Sequence, residues 1–282
     1  MKYKALSALC ICLLLFASSC KFQKVLKNGT ADEKYEQALK LYAEKDYSRA
    51  LQLFDQLIGT LRATEKAQKI AYMYAYSYYH QKDYTLASYY FKRYSNNYPN
   101  APETEECLFM SAYCNFLNSP EYSLDQSITQ EAIKDLQLFT NTYPNSKRVS
   151  ECNDLMDQLR FKLELKDYKM AKLYYRMDDY AASIQAFGSI LKEFPDTPHR
   201  EEILFLIFKS YYKYAKESID SKKKDRHSKA LISYNEFVSQ FPESEFLKEA
   251  TDLKERSKKE LDALYLKDQK LLNSEKFKES TK

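Results

Sequence analysis

Three histidines, six cysteines and the carboxylates are the residues through which this chain could do covalent chemistry, and their spacing offers little of it. His80, His199 and His227 are scattered, no His-Glu-x-x-His occurs, and no Ser or Cys sits in a nucleophile motif. With 3 glycines in 282 residues there is no glycine-rich loop to cradle a phosphate. No catalysis, no cofactor and no metal site are therefore expected. After Cys10, Cys12 and Cys20 only Cys107, Cys114 and Cys152 remain, an odd number. Cys107 and Cys114, on one predicted helix, stand about 10.5 Å apart along its axis, too far to bridge. All three read as small buried apolar residues, since no zinc-ligand spacing is present.

Cys20 is different because of what precedes it. Met1-Lys2-Tyr3-Lys4 is positive, Ala5 to Phe16 is almost wholly apolar, and Ala17-Ser18-Ser19 is small, which predicts a signal peptide over 1–19. The apolar run falls short of the roughly 20 residues that span a bilayer. Leu15-Phe16-Ala17-Ser18-Ser19-Cys20 resembles a bacterial lipobox in a loose form, although Cys20 could also be the first cysteine of an ordinary secreted domain. The resemblance implies a diacylglycerol thioether on Cys20, cleavage before it, and membrane attachment of a lipidated linker over 20–30. Several acyl chains anchor stably, at roughly 0.8 kcal/mol per buried methylene. Lys21-Phe22-Gln23-Lys24 lacks both the Asp associated with inner-membrane retention and the acidic run associated with surface display. The implied address is the periplasmic face of the outer membrane.

The elements that carry these residues announce themselves through proline. Tyr98-Pro99-Asn100, Tyr143-Pro144-Asn145, Phe194-Pro195-Asp196 and Phe241-Pro242-Glu243 each close a helical run, at spacings of 45, 51 and 47 residues. Proline cannot continue a helix and pushes its predecessor out of the α region, so the recurrence marks one helical unit used repeatedly. Scarce glycine, with Leu, Lys, Glu, Ala and Tyr abundant, fits an all-α class. The net charge of +4, or +2 without Lys2 and Lys4, argues against nucleic acid as a partner. Lys222, Lys223, Lys224 and Arg226 read as a solvated loop.

The units resemble tetratricopeptide repeats. In the second, Glu65 to Gln81 and Thr85 to Asn97 flank the turn Lys82-Asp83-Tyr84, and Ala75, Tyr78, Ala87, Phe91 and Pro99 fill the pattern's positions. The fourth fits through Ala171, Tyr174, Ser183, Phe187 and Pro195, with the turn Asp178-Asp179-Tyr180. The first fits through Ala38, Ala50 and Phe54 with the turn Lys45-Asp46-Tyr47, but has Arg62 in place of proline. The third and fifth keep Ala132 with Pro144, and Ala230 and Tyr234 with Pro242. They fit with turns lengthened around 119–126 and 218–226. Lys147 to Leu165 is expected to run as helix into the fourth unit. The resulting expectation is a right-handed superhelical solenoid of about five hairpins, with repeats 1–3 over 31–146. Repeats 4–5 and a capping helix follow over 147–270, then a polar tail over 271–282 whose composition favours disorder.

In such arrays positions 5, 9 and 12 of each first helix face the concave surface. By alignment these are Tyr35, Leu39 and Tyr42, then Tyr72, Tyr76 and Tyr79, then Phe109, Tyr113 and Phe116. The later units give Tyr168, Lys172 and Tyr175, then Ile207, Tyr211 and Tyr214. An aromatic stripe at helical spacing is often core, but here the pattern's small and aromatic positions already account for the core. The first three rows suit the apolar side chains of an extended peptide.

From Cys20 to about Leu266 the chain is similar to the BamD family of outer-membrane β-barrel assembly lipoproteins. The resemblance is most specific in Ala171-Lys172-Leu173-Tyr174-Tyr175, Tyr180-Ala181-Ala182-Ser183-Ile184 and Phe194-Pro195-Asp196-Thr197-Pro198. It implies a non-catalytic scaffold whose first three repeats receive C-terminal segments of unfolded outer-membrane proteins. The last repeats would dock on the barrel subunit that carries POTRA domains, around His199, Arg200, Glu201 and Glu202 and the segment 218–226. The alternative is a periplasmic tetratricopeptide lipoprotein coordinating cell-wall synthesis or division. A coiled-coil segment before the repeats would favour it, and none is visible between Cys20 and Ala31. A glycan-binding lipoprotein would want tryptophan, which the chain lacks.

Overall fold

The structure, a computed structural model, describes residues 21–61 and 64–280. The segment expected to be a signal peptide, Cys20, the end of the tail, and Arg62, where the first unit departs from proline, lie outside them. The described residues are helical throughout: α1 over 21–28, then α2 Ala31–Ala43, α3 Tyr47–Thr60, α4 Glu65–His80, α5 Tyr84–Asn97, α6 Thr104–Asn118 and α7 Ser127–Thr142. After them come α8 Val149–Arg176, α9 Tyr180–Glu193, α10 Arg200–Lys216, α11 Asp220–Gln240 and α12 Leu247–Ser280. The chain divides within α8 into two compact units, one ending at Arg160 and the other starting at Phe161. In the first, α2/α3, α4/α5 and α6/α7 are consecutive hairpins. In the second, α9 packs on α10, α10 on α11, and α12 closes the end.

Two local devices generate this order. The first is the tight turn between paired helices. Lys45, Lys82 and Asp178 sit at φ 63°, 62° and 61°, the left-handed conformation that ends a helix. The following aspartate then serves both helices. Asp46, Asp83 and Asp179 donate their N–H groups back to Leu41, Tyr78 and Tyr174 at 2.9, 3.0 and 3.0 Å. Their carboxylates accept from the N–H groups of Arg49, Leu86 and Ala182 at 3.2, 3.1 and 3.1 Å, capping the next helix. The second device is the aromatic-proline stop. Tyr98, Tyr143, Phe194 and Phe241 leave the α region, with φ between −125° and −132°. Their carbonyls accept from the N–H groups of Ala101, Ser146, Thr197 and Ser244, so each proline occupies the second position of a β-turn.

Small residues set the helix separation. Ala38, Ala50, Ala75, Ala87, Ala132, Ala171, Ser183 and Ala230 are all fully buried, as are Phe54, Phe91 and Phe187. A larger side chain at the close approaches would force the backbones apart. Tyr78 and Tyr174 are only half-buried.

The structure describes most of the linker and corrects three expectations. Where described, the linker over 20–30 is mostly helix: α1 packs Phe22, Val25 and Leu26 on the first hairpin. Thr30 then opens α2 with a reciprocal capping box to Glu33. The lengthened turn at 119–126 is present, but its counterpart at 218–226 is not, because α11 begins at Asp220. The basic run 222–226 is accordingly helix rather than loop. Lys223 pairs with Asp220 at 3.3 Å, Lys224 pairs with Asp268, and Arg226 stacks on Tyr214. The tail is helical to Ser280: the sequence from Leu271 has no Gly or Pro and is rich in Leu, Lys and Glu, which favour helix.

Candidate functional site

The nine residues expected to line a groove lie on α2, α4 and α6, consecutive first helices of the first unit. Within α4 and α6 they form continuous ladders. Tyr72 and Tyr76 pack at 4.8 Å between ring centroids, and Tyr76 meets Tyr79 edge-on at 6.2 Å. On α6 the rings of Phe109, Tyr113 and Phe116 lie within 14° of parallel, at 5.7 and 6.0 Å. Neighbouring helices are joined through the row: Tyr76 donates its hydroxyl to Glu106 on α6 at 2.8 Å.

Exposure separates the nine. Tyr72, Tyr76, Tyr79, Tyr113, Phe116, Leu39 and Tyr42 are half-buried, offering part of each side chain to solvent while the rest seals the core beneath. Tyr35 and Phe109 are buried, at 7% and 2% exposure. Each lies under a cation: Lys66 is 4.9 Å from the Tyr35 ring centre and Arg148 4.0 Å from that of Phe109. Arg148 is itself fixed by Glu106 at 2.7 Å and Glu151 at 3.3 Å. No spacing rule links a lid to a ring 31 or 39 residues away, so sequence reasoning missed both.

Partial burial raises the tyrosine pKa values. Desolvation, with Tyr47 and Tyr72 close by, pushes Tyr42 up to about 12. Desolvation likewise raises Tyr72, Tyr76 and Tyr79, helped at Tyr76 by hydrogen bonds to Tyr72 and Glu106. These phenols stay protonated at neutral pH, so they carry no charge, and the hydroxyls of Tyr42, Tyr72 and Tyr79 can donate hydrogen bonds, whereas that of Tyr76 is already given to Glu106. It suits apolar and aromatic side chains whose backbone needs donors.

The second unit treats its matching row differently. Lys172 lies 5.1 Å from the Tyr168 ring, Lys213 5.7 Å from Tyr175 and 5.6 Å from Tyr180, and Arg226 3.4 Å from Tyr214. These faces are occupied from within. The four residues expected at a docking surface open α10. His199 stacks on Tyr168 at 4.0 Å and 4° between planes. Glu202 accepts from the Tyr168 hydroxyl and pairs with Lys172 at 2.6 Å. Arg200 donates to Gln240 at 3.0 Å, and Glu201 borders a shallow cleft with Phe241, Pro242 and Glu243. The group is thus partly internal scaffolding, with all four residues half-buried.

Cys107, Cys114 and Cys152 are free and buried, and burial raises each thiol, Cys114 to about 12 and Cys152 to about 11. They are not nucleophiles at neutral pH. Among the described residues no group of His, Cys, Asp and Glu could hold a metal ion, and no helix is long and apolar enough to cross a membrane.

Known proteins match this arrangement. A family model described as an outer membrane lipoprotein, YfiO, matches residues 27–225. Over 256 residues the chain is 26% identical to the putative outer membrane protein assembly factor BamD of Aquifex aeolicus, covering 84% of this chain and 83% of that one. It is 25% identical over 260 residues to outer membrane protein assembly factor BamD of Neisseria meningitidis, covering 86% and 93%. The BamD of Caulobacter vibrioides is 21% identical over 190 residues, covering 67% of this chain and 61% of that protein. These relatives are named for assembly and not for a reaction. With the family model spanning well over half of it, the chain belongs to the BamD (YfiO) family of outer membrane lipoproteins, assembly factors rather than enzymes.

Proposed function

We propose that this chain is anchored through lipid on Cys20 to the periplasmic face of the outer membrane and scaffolds β-barrel insertion there. Unfolded outer-membrane protein segments bind the aromatic row of α2, α4 and α6, and the barrel subunit bearing POTRA domains docks near Arg200 and Glu201. The observation that carries the reading is the contrast between units. The ladders of α4 and α6 from Tyr72 to Phe116 keep solvent-facing ring surface, with only the Phe109 end under a cation, whereas three of the four second-unit rings, Tyr168, Tyr175 and Tyr214, are covered by Lys172, Lys213 and Arg226. Protonated hydroxyls beside apolar faces can satisfy an extended backbone while taking up alternate side chains.

Pull-down from detergent-solubilised membranes should recover a barrel protein with POTRA domains. Recovery of cell-wall synthases without it would refute the assignment. Separately, Tyr72→Ala with Tyr76→Ala should weaken binding of a C-terminal barrel peptide by tenfold or more while helicity is retained. Unchanged affinity would remove the row from the mechanism and leave the family membership standing.

A further inference from the structure

The two faces of α1 are opposite in character. Phe22, Val25 and Leu26 pack on the first hairpin, Phe22 at 5% exposure with the Arg49 guanidinium 5.7 Å from its ring centre. The end of the helix is fixed as well, since the Gly29 N–H donates to the Val25 carbonyl at 2.9 Å. Lys21, Lys24 and Lys27 are all exposed. At 100° and 1.5 Å per residue they cover about 120° of the helix, nearly opposite the apolar side, and lie within about 9 Å along its axis.

Nothing on α1 neutralises these lysines. No Asp or Glu occurs from Lys21 to Ala31, so no carboxylate stands one turn away on the same helix. The carboxylates that share a cleft with α1 are Asp32, Glu33 and Glu36, on the side of Val25. Asp32 is taken by Lys66 at 2.6 Å, and Glu33 by the Thr30 N–H at 2.8 Å. The basic run of α11 is the contrast, because Lys223, Lys224 and Arg226 are spent within the protein. Lysine is a compact, hydrated charge on a flexible stem, which suits mobile phosphates better than a ligand of fixed shape. Position says which phosphates these are. Cys20 directly precedes α1, so a lipid there brings headgroups to the lysines at high effective concentration.

We infer that the lysine face of α1 seats on the anionic phospholipid headgroups of the leaflet that holds the Cys20 lipid. This two-point attachment rests on Cys20 being the anchor, as proposed above. Because α1 is packed on α2 and α3, seating it holds the first hairpin at the membrane surface, where a lipid alone would leave a tether. Each lysine near an anionic surface tightens attachment roughly fivefold and three together on the order of a hundredfold, an effect that salt screens.

The lipidated full chain, reconstituted in vesicles of phosphatidylcholine with or without an equal part of phosphatidylglycerol, tests this by acetylation with a neutral reagent, read by peptide mass spectrometry. Lys21, Lys24 and Lys27 should react roughly fivefold more slowly on the anionic vesicles, and added salt should erase the difference. Lys258, Lys259 and Lys270, also exposed, should react alike on both. The same spectra read the acyl chains on Cys20: an unmodified Cys20 would overturn the anchor and with it the two-point attachment, whereas an acylated Cys20 with unprotected lysines would overturn the seating alone. Charge is isolated from lipid in the mature Cys20→Ser chain, whose flotation with the anionic vesicles should weaken on the order of a hundredfold when Lys21, Lys24 and Lys27 are all changed to Gln. The same change at Lys258, Lys259 and Lys270 should leave it within about twofold, since these lie outside the seated face. Equal flotation on both kinds of vesicle, or equal loss in the two triple variants, would overturn the inference.

Discussion

Lys82 offers the sharpest test of how the hairpins are held, because its backbone is at φ 62° with a side chain that nothing in the turn requires. A residue with a Cβ pays about 1–2 kcal/mol in this conformation. Glycine escapes that cost but adds about 0.5–1 kcal/mol through its freedom in the unfolded chain. Lys82→Gly should therefore stabilise the second hairpin by about 0.5–1 kcal/mol, and Lys82→Ala, which keeps a Cβ, should be close to neutral. Asp178 has the same φ but its carboxylate accepts from the hydroxyl of buried Tyr180. Losing that partner costs about 1–3 kcal/mol, so Asp178→Gly should come out neutral to destabilising by about 2 kcal/mol despite the same backbone relief. The two compact units need not unfold together, so the measurement should be amide hydrogen exchange resolved by peptide, read on α4 and α5 for Lys82 and on α8 and α9 for Asp178. Lowered protection in Lys82→Gly, or the same gain in both glycine variants, would refute the account of these turns.

The three glycines should separate cleanly. A Cβ on Gly29 would lie 2.6 Å from the Val25 carbonyl oxygen, whereas Gly59 and Gly188 face open space. Gly29→Ala should destabilise the docking of α1 by about 1–3 kcal/mol, seen as faster exchange across 21–28. Gly59→Ala and Gly188→Ala should each gain about 0.5–1 kcal/mol of helix stability in urea titration. In the second unit His227 is buried, 2.8 Å from Ser257 of α12, with Tyr212 of α10 beside it, Glu260 of α12 and Lys223 of α11 nearby. Desolvation first, then Lys223, lower its pKa against the opposing pull of Glu260. The folded state thus holds the ring neutral while the unfolded chain protonates near pH 6.5. Stability of this end should fall as pH drops below about 6.5, and His227→Gln should flatten that dependence in urea midpoints measured from pH 7.5 to 5.5.

The parts of the fold that could be read in the sequence are those written in short-range backbone chemistry. Asp46, Asp83 and Asp179 cap within three residues, and each proline acts on its own turn, so the boundaries of α4 and α5 emerged to within a residue of Glu65–Gln81 and Thr85–Asn97. The buried alanines follow from the same register. What escaped depends on groups distant in sequence. The start of α11 at Asp220 is held by Lys267 and Lys224–Asp268 pairs to a helix more than forty residues on, so local spacing suggested a long loop instead. The same limit applies at the candidate site. The repeat register placed nine side chains on three neighbouring helices, but it could not say that Lys66 and Arg148 would cover Tyr35 and Phe109 while the ladders beside them keep solvent-facing surface. Nor could it show that Lys92, and not its neighbour Arg93, would pair with Asp135 at 2.9 Å. A helix turns 100° per residue, so adjacent cations face different neighbours, and which of them finds a counter-charge is decided by the next hairpin.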